Sequence, residues 1–497
     1  MSLIIENILP SFSFSLSSII LIPEIFFSLS IILFILYTSL VFSKLYIFTK
    51  YTNKLVLCIV SIMLLLNLNV PSFNITLITN SFFQDKFIVI NKIILLVSLM
   101  GCLFISEESL VEIFELSILI MLSLFGLLLL MMSFDLISVY LAIEIQSLCF
   151  YIMATLKRNS AFSTEAGLKY FIIGAFASGI LLFGCSLIYF VTGTTNFEQL
   201  SLFFINSSVN SLAIIGSIFI LIAIFIKLAV APFHMWSPDV YEGSFTNISV
   251  FFAVVPKLSL LIILIRFFNF IFYEYFELIY WWSFLGEFCG ILSVIFGSLT
   301  AIKQKRIKRL LAYSSIGHVG YLMLSLFSGT YEGLQAVFFY IILYIITSLG
   351  IWGSFLAIYN NNYTTKIRYI SELKSIFVLN PFLSLSFAIC LFSLAGIPPL
   401  SGFLAKLMVF ISLINNSFYL IGLFSILVSV ISTFYYLRVV KIIFFEKNFQ
   451  FNKNIFYHSP SKFLSLVISV SILLIVLFFI FPNFLYLNTY FLSLICF

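Results

Sequence analysis

The sequence predicts an all-α polytopic membrane protein of about fourteen transmembrane helices, and three observations carry that prediction. Hydrophobic residues make up 62% of the 497, charged residues only 9%, and mean hydropathy is +1.20. A soluble domain of this size cannot bury so much apolar surface. Mostly apolar stretches of roughly 20 residues, the length that crosses hydrocarbon as a helix, recur between short polar connectors. Lysine and arginine, finally, gather in alternate connectors, as they do in polytopic membrane chains.

In chain order the predicted spans are 24–43, 55–70, 88–105, 115–133, 136–156, 166–192, 211–233, 246–268, 280–302, 310–328, 333–358, 380–412, 418–444 and 463–482. Within hydrocarbon the backbone must satisfy its own hydrogen bonds, and runs this long with little alternation suit helices better than barrel strands. Of the 25 Lys and Arg, eighteen fall in connectors on one side, including Lys44, Lys157, Arg158, Lys303 to Arg309, Lys366, Arg438, Lys447 and Lys453. Only Lys86, Lys92 and Arg266 fall on the other, at or near span ends. Both termini belong with the sparsely charged side, and the basic connectors belong to the cytoplasm or, in mitochondria, the matrix. The net charge of +6 is largely this topological signal, so nucleic acid is not an expected partner.

The seven cysteines are scattered, mostly through apolar spans, without a C-x-x-C pair, which excludes iron–sulfur and zinc ligation by clustered thiolates. There is no G-x-G-x-x-G turn, no P-loop and no connector long enough for a nucleotide domain. No cofactor and no metal is expected on this chain; a redox cofactor in the system must sit on a partner. Met1 to Ile22 lacks the basic region and cleavage site of a signal peptide. The 63 phenylalanines, with abundant Ile, Leu and Asn, fit an AT-rich organellar gene.

Four lysines, Lys169, Lys227, Lys257 and Lys406, lie inside predicted spans. A lysine at mid-membrane costs roughly 2.5 to 3.5 kcal/mol on insertion, so such residues usually face an internal cavity and serve ion or proton transfer. Two of them stand beside an internal echo. Leu228-Ala229-Val230-Ala231-Pro232 is matched by Leu394-Ala395-Gly396-Ile397-Pro398, an offset of 166 residues, and each proline should break its helix. The two stretches belong to spans seven and twelve, five apart, so the units that contain them are upside down relative to each other. Broken helices in inverted units are a pointer to an ion site. Lys227 precedes the first proline by five residues, and Lys406 follows the second by eight.

Lysine in low dielectric gives up its proton more readily, which a relay requires. Glu144 is the carboxylate nearest a span centre, with Glu24 and Glu287 closer to span starts, and it is the candidate counter-ion of Lys227. His318 titrates near neutral pH and suits a bridge between lysines, or alternatively a hydrogen-bonded place in a helix interface. Lys169, near its span start, also suits a side chain that snorkels to the interface. His234 reads as a span-boundary residue.

Several motifs resemble one family. Lys227 to Ser244 (KLAVAPFHMWSPDVYEGS), Val255-Pro256-Lys257, Lys308 to Tyr321 (KRLLAYSSIGHVGY) and Leu394 to Lys406 (LAGIPPLSGFLAK) look like the signatures of the antiporter-like subunits of respiratory complex I, NADH:ubiquinone oxidoreductase. The likeness covers roughly residues 110 to 445. It implies two inverted five-helix repeats, 111–270 and 278–445, flanked by N-terminal helices at 1–110 and a C-terminal region at 446–497. It further implies that Glu144 and Lys227 form a coupled pair, that Lys257 and His318 connect them onward, and that Lys406 ends the path, with Lys169 matching a further lysine of the family. Gly317 stands where alanine is common, and Phe245 where proline is usual.

A member of this family is expected to be a proton-translocating membrane subunit without a redox site. Its partners are the other membrane-arm subunits, sister antiporter-like subunits among them, and membrane lipids. NAD, FMN, iron–sulfur clusters and ubiquinone belong to partner subunits, and the expected place is the mitochondrial inner membrane with basic loops in the matrix. Two alternatives remain open: a subunit of a cation/proton antiporter or membrane-bound hydrogenase, and a structural spacer with idle, paired lysines.

Overall fold

A computed structural model of the chain describes residues 19–41, 49–71, 74–78, 80–106, 114–206, 210–272, 276–358, 368–374, 376–446 and 461–496. The basic-loop residues Lys44, Lys366, Lys447 and Lys453, and the expected boundary between residues 110 and 111, lie outside these ranges.

The described chain runs α1 (Ile22–Val41), α2 (Thr49–Asn69), a hairpin of β1 (Ile75–Leu77) and β2 (Phe82–Gln84), α3 (Lys86–Ser106), α4 (Phe114–Met132), α5 (Leu136–Thr155), α6 (Ala161–Thr192), α7 (Phe197–Asn206) and α8 (Ser211–Leu228). It continues through α9 (Trp236–Gly243), α10 (Thr246–Arg266), α11 (Phe276–Lys303), α12 (Ile307–Phe327), α13 (Tyr331–Leu356) and α14 (Ile376–Leu379). The last five helices are α15 (Pro381–Ala395), α16 (Ser401–Asn415), α17 (Tyr419–Phe444), α18 (Lys462–Ile480) and α19 (Asn483–Cys496). The hairpin pairs antiparallel, with Ile75 opposite Gln84 and Leu77 opposite Phe82.

Among the described residues, thirteen helices are long and apolar enough to cross a membrane: α1 to α6, α8, α10 to α13, α17 and α18. They coincide with thirteen of the fourteen predicted spans. The remaining one, 380–412, is a broken span made of the shorter apolar helices α15 and α16. Four short helices (α7, α9, α14, α19) and the hairpin had no span-length signal. Most serines and threonines inside the spans turn their hydroxyls back onto their own helix, as Ser98 does to the Leu95 carbonyl (2.7 Å) and Thr347 to that of Leu343 (2.9 Å); the buried Ser401 hydroxyl has no such partner.

Both proline breaks are present. α8 and α15 end on left-handed residues, Ala229 (φ 59°) and Gly396 (φ 80°). These caps are 167 residues apart (396 less 229), one more than the offset read from the sequence, so Pro232 corresponds to Pro399 rather than Pro398. The Ala231-Pro232 and Pro398-Pro399 peptides are both cis.

α10 lies at the centre, packed by α3, α4, α12 and α13, and every one of its residues except Asn247 is buried. α11 and α12 approach closely where glycine faces glycine: a Cβ on Gly297 would lie 2.7 Å from the Gly317 nitrogen. Small residues at such crossings let helix backbones meet where no hydrophobic force drives them together.

Candidate functional site

Lys227 occupies the last turn of α8, just before the break. Its Nζ donates to the Tyr151 hydroxyl of α5 at 3.1 Å and sits 5.5 Å from that ring's centroid. Glu144, two turns earlier on α5, points a buried Oε1 at no hydrogen-bond partner. No ion pair joins it to Lys227, although its charge acts on the lysine through space. A cavity of about 30 Å³ opens beside Lys227, lined also by Ser147, Trp236, Tyr241, Lys257 and Ser315. That volume accommodates water, and the lining supplies polar partners for it.

The central helix delivers Lys257 into the same cavity. Pro256, one residue earlier, has no N–H, so the carbonyl four residues back, Phe252, loses its helical donor. The Tyr241 hydroxyl donates to it instead at 3.2 Å. The next carbonyl, Ala253, accepts from the Tyr344 hydroxyl at 3.3 Å. Tyr344 accepts in turn from Lys257 Nζ at 2.9 Å.

From Tyr344 the polar line continues into α12. The His318 ring lies 5.5 Å from the Tyr344 ring, its Nδ1 is 2.6 Å from the Tyr340 hydroxyl and its Nε2 is 3.1 Å from the Tyr436 hydroxyl. Lys257 and Lys406 both act on His318 through space. A cavity of about 20 Å³ connects His318, Tyr340, Tyr344 and Thr347 to Lys406, and a second of about 10 Å³ joins His318 and Lys406 past Ser314, Gly317 and Tyr321. Lys406 Nζ donates to the Ala395 carbonyl at 2.7 Å, the open C-terminal end of α15, where the helix dipole favours a cation. His318, Lys257 and Lys406 are all buried, at 5 to 6% exposure.

Five of the six predicted residues thus fall along one line, in the order Glu144, Lys227, Lys257, His318, Lys406. Lys169 does not join it. Its side chain is 43% exposed and forms ion pairs of 2.7 Å with both Glu165 and Asp239, because the third turn of α6 lies close enough to the basic connectors for a long side chain to reach out. The interfacial alternative describes this lysine. The caps also show that Lys227 and Lys406 are not equivalents: by the 167-residue register Lys406 corresponds to Asp239, and Lys227 to Leu394.

Lys92 departs from its reading as a span-end charge. It is fully buried, paired with Glu24 at 2.5 Å and bonded to Gln84 at 2.9 Å, because the β1–β2 hairpin folds over that end of α3. Arg266 is also buried, paired with Asp85 at 3.2 Å. Glu287 is buried with Oε1 unpartnered. His234 lies in the break after α8, only 3% exposed, its ring between Phe296 and Tyr313 (5.8 and 6.5 Å), and burial lowers its proton affinity below the ordinary imidazole value.

Sequence reasoning missed the connecting hydroxyls of Tyr151, Tyr340, Tyr344 and Tyr436. Tyr340 and Tyr344 are one turn apart and share a face of α13, a spacing that was legible. In a chain with 25 tyrosines, nothing else distinguished them from packing aromatics.

Comparisons bear on this geometry. Residues 133–432 match the family described as NADH:quinone oxidoreductase/Mrp antiporter, transmembrane. The chain is 40% identical over 486 residues to NADH-ubiquinone oxidoreductase chain 2 of Marchantia polymorpha, covering 95% of this chain and 97% of the relative. It is 38% identical to NADH-quinone oxidoreductase subunit N of Pelagibacter ubique, covering 93% and 96%. A chain in the structure of respiratory complex I from Thermus thermophilus shares its fold, with a TM-score of 0.78 at 24% identity and coverage of 94% and 98%.

Proposed function

The chain belongs to the NADH:quinone oxidoreductase/Mrp antiporter transmembrane family, and from that premise we propose that its buried line from Glu144 to Lys406 moves protons. The chain is a proton-translocating membrane subunit of NADH:quinone oxidoreductase, complex I. The observation that supports the route is the shared cavity between Lys227 and Lys257, continued through the Tyr344 hydroxyl to His318 and Lys406. Hydroxyl and imidazole groups both donate and accept, so a proton received from one lysine can be passed to the next. Glu144, in field contact with Lys227 but not bonded to it, biases whether that lysine holds its proton.

In this reading the chain supplies no redox chemistry. NADH, FMN, iron–sulfur clusters and ubiquinone act on partner subunits, and the energy arrives through neighbouring membrane-arm subunits, sister antiporter-like chains among them, with lipid filling the remaining surface. We place the chain in the mitochondrial inner membrane, which its 40% identity to the Marchantia polymorpha chain supports, and the basic connectors in the matrix by the bias of Lys and Arg. The helix breaks support two inverted units near 111–270 and 278–445.

Lys227→Ala in the assembled complex tests the route. NADH-driven proton transfer should fall well below the wild-type ratio to electrons; an unchanged ratio with normal assembly would falsify it. The family also includes Mrp antiporters, so native purification supplies the second arm. Recovery with antiporter or hydrogenase subunits, rather than flavin and iron–sulfur subunits, sinks the complex I assignment.

A further inference from the structure

α9 is only eight residues long, too short to stand as a helix on its own, so its position must be imposed by what holds it. One of its faces is occupied by charge. Asp239 Oδ2 pairs with Lys169 of α6 at 2.7 Å, and its Oδ1 accepts from Arg309 of α12 at 2.8 Å. Glu242, one turn on, pairs with Arg306 through Oε1 and with Arg309 through Oε2. Arg309 therefore bridges both carboxylates, and α6 and α12, the latter with its N-cap residue Arg306, converge on α9 through one network. Just beyond, Lys308 Nζ donates to the Ser244 carbonyl at 2.8 Å.

The other face of α9 is aromatic and walls the proton cavity. Trp236 and Tyr241 both line the space between Lys227 and Lys257. Trp236 Nε1 donates to the Ile226 carbonyl beside Lys227 at 2.9 Å, and its ring stacks on Tyr170 at 4.5 Å. Tyr241 closes the Phe252 carbonyl opened by Pro256. None of Asp239, Glu242, Arg306 and Arg309 lines that cavity.

We infer that this ionic network is a clamp that sets the position of α9, and with it the Trp236–Tyr241 wall of the Lys227–Lys257 cavity. Asp239 and Glu242 are positioning residues, and Lys169 is their counter-ion, holding a charge in place without carrying a proton. The inference rests on the proposal that Lys227 and Lys257 transfer protons. Isolated exposed pairs contribute little, but a network in which one guanidinium holds two carboxylates fixes geometry as well as charge.

Arginine separates a clamp from a carrier, because it keeps the positive charge but does not release a proton near neutral pH. The measurement is protons translocated per NADH oxidised by the assembled complex carrying Lys169→Arg or Lys227→Arg. The clamp predicts that Lys169→Arg keeps the wild-type ratio, whereas Lys227→Arg lowers proton transfer through this chain at least about tenfold. Loss with Lys169→Arg at normal assembly overturns the clamp and makes Lys169 a carrier. Retention with Lys227→Arg overturns the proton route instead, a separate failure. If Lys169→Arg does not assemble, Glu242→Arg and Arg306→Glu decide: each alone should lower the ratio and the pair should recover part of it, since Arg309 then keeps only Asp239. A pair no better than the worse single variant also overturns the clamp.

Discussion

Lys257 donates to the Tyr344 hydroxyl at 2.9 Å, with its ammonium 4.8 Å from the centroid of the same ring. One tyrosine thereby holds the lysine by a hydrogen bond and by its ring face, while its own hydrogen goes to the carbonyl of Ala253. The lysine is held without an ion pair, so it is not locked in the charged state by a neighbouring carboxylate.

Tyr344→Phe keeps the ring and removes the hydroxyl. Proton transfer in the assembled complex should fall several-fold, and the thermal inactivation midpoint should drop, because a buried carbonyl and ammonium left unsatisfied cost about 1–3 kcal/mol. Proton transfer equal to wild type in reconstituted vesicles would rule out the hydroxyl as a link.

Gly317 lines the small cavity between His318 and Lys406, and a Cβ built there meets nothing within 4 Å. Gly317→Ala should leave both assembly and proton transfer unchanged. Gly317→Leu should fill the cavity and slow transfer while redox activity with an uncoupler persists. Equal transfer by the two variants would show that this cavity is not on the route.

Removing one member of the buried Lys92–Glu24 pair leaves the other charge stranded. Lys92→Met should destabilise the chain by about 3–5 kcal/mol, and adding Glu24→Gln should recover most of the loss. The readout is the amount of intact complex on native gels at increasing temperature. A double variant as unstable as the single one would contradict the pairing.

His234 is buried outside the spans, and burial lowers its pKa below 6.5. The fold therefore favours the neutral ring, and its contribution is fully present above the unfolded value near 6.5. It is lost as pH falls from there toward the lower folded value. The inactivation midpoint should decline across that acid window in wild type and decline less in His234→Gln; parallel curves would exclude the histidine.

Most of the architecture was legible because hydrocarbon imposes it: span length, helix type and the proline breaks all follow from local residues. The site was legible where burial cost marked it, at Lys227, Lys257 and Lys406. What the sequence did not carry was tertiary. Lys92 reads as a span-end charge unless the hairpin that covers it is known. Lys169 reads as either buried or snorkelling until α6 is placed against Asp239. The tyrosine hydroxyls acquire meaning only when α10, α12 and α13 are side by side. The repeat register slipped by one residue because Pro398 and Pro399 are adjacent, and it takes the left-handed caps and the cis peptides to distinguish them.

Both end lysines sit at the C-terminal pole of a helix, Lys227 on the last turn of α8 and Lys406 against the last carbonyl of α15. The Lys406 ammonium meets the negative pole of α15 directly, whereas the Lys227 ammonium rests on the Tyr151 hydroxyl. The two ends of the proposed route are therefore held by unlike groups, a backbone carbonyl at Lys406 and a hydroxyl with a carboxylate further off at Lys227, so a change of charge beside Glu144 would bear on one end and leave the other as it is.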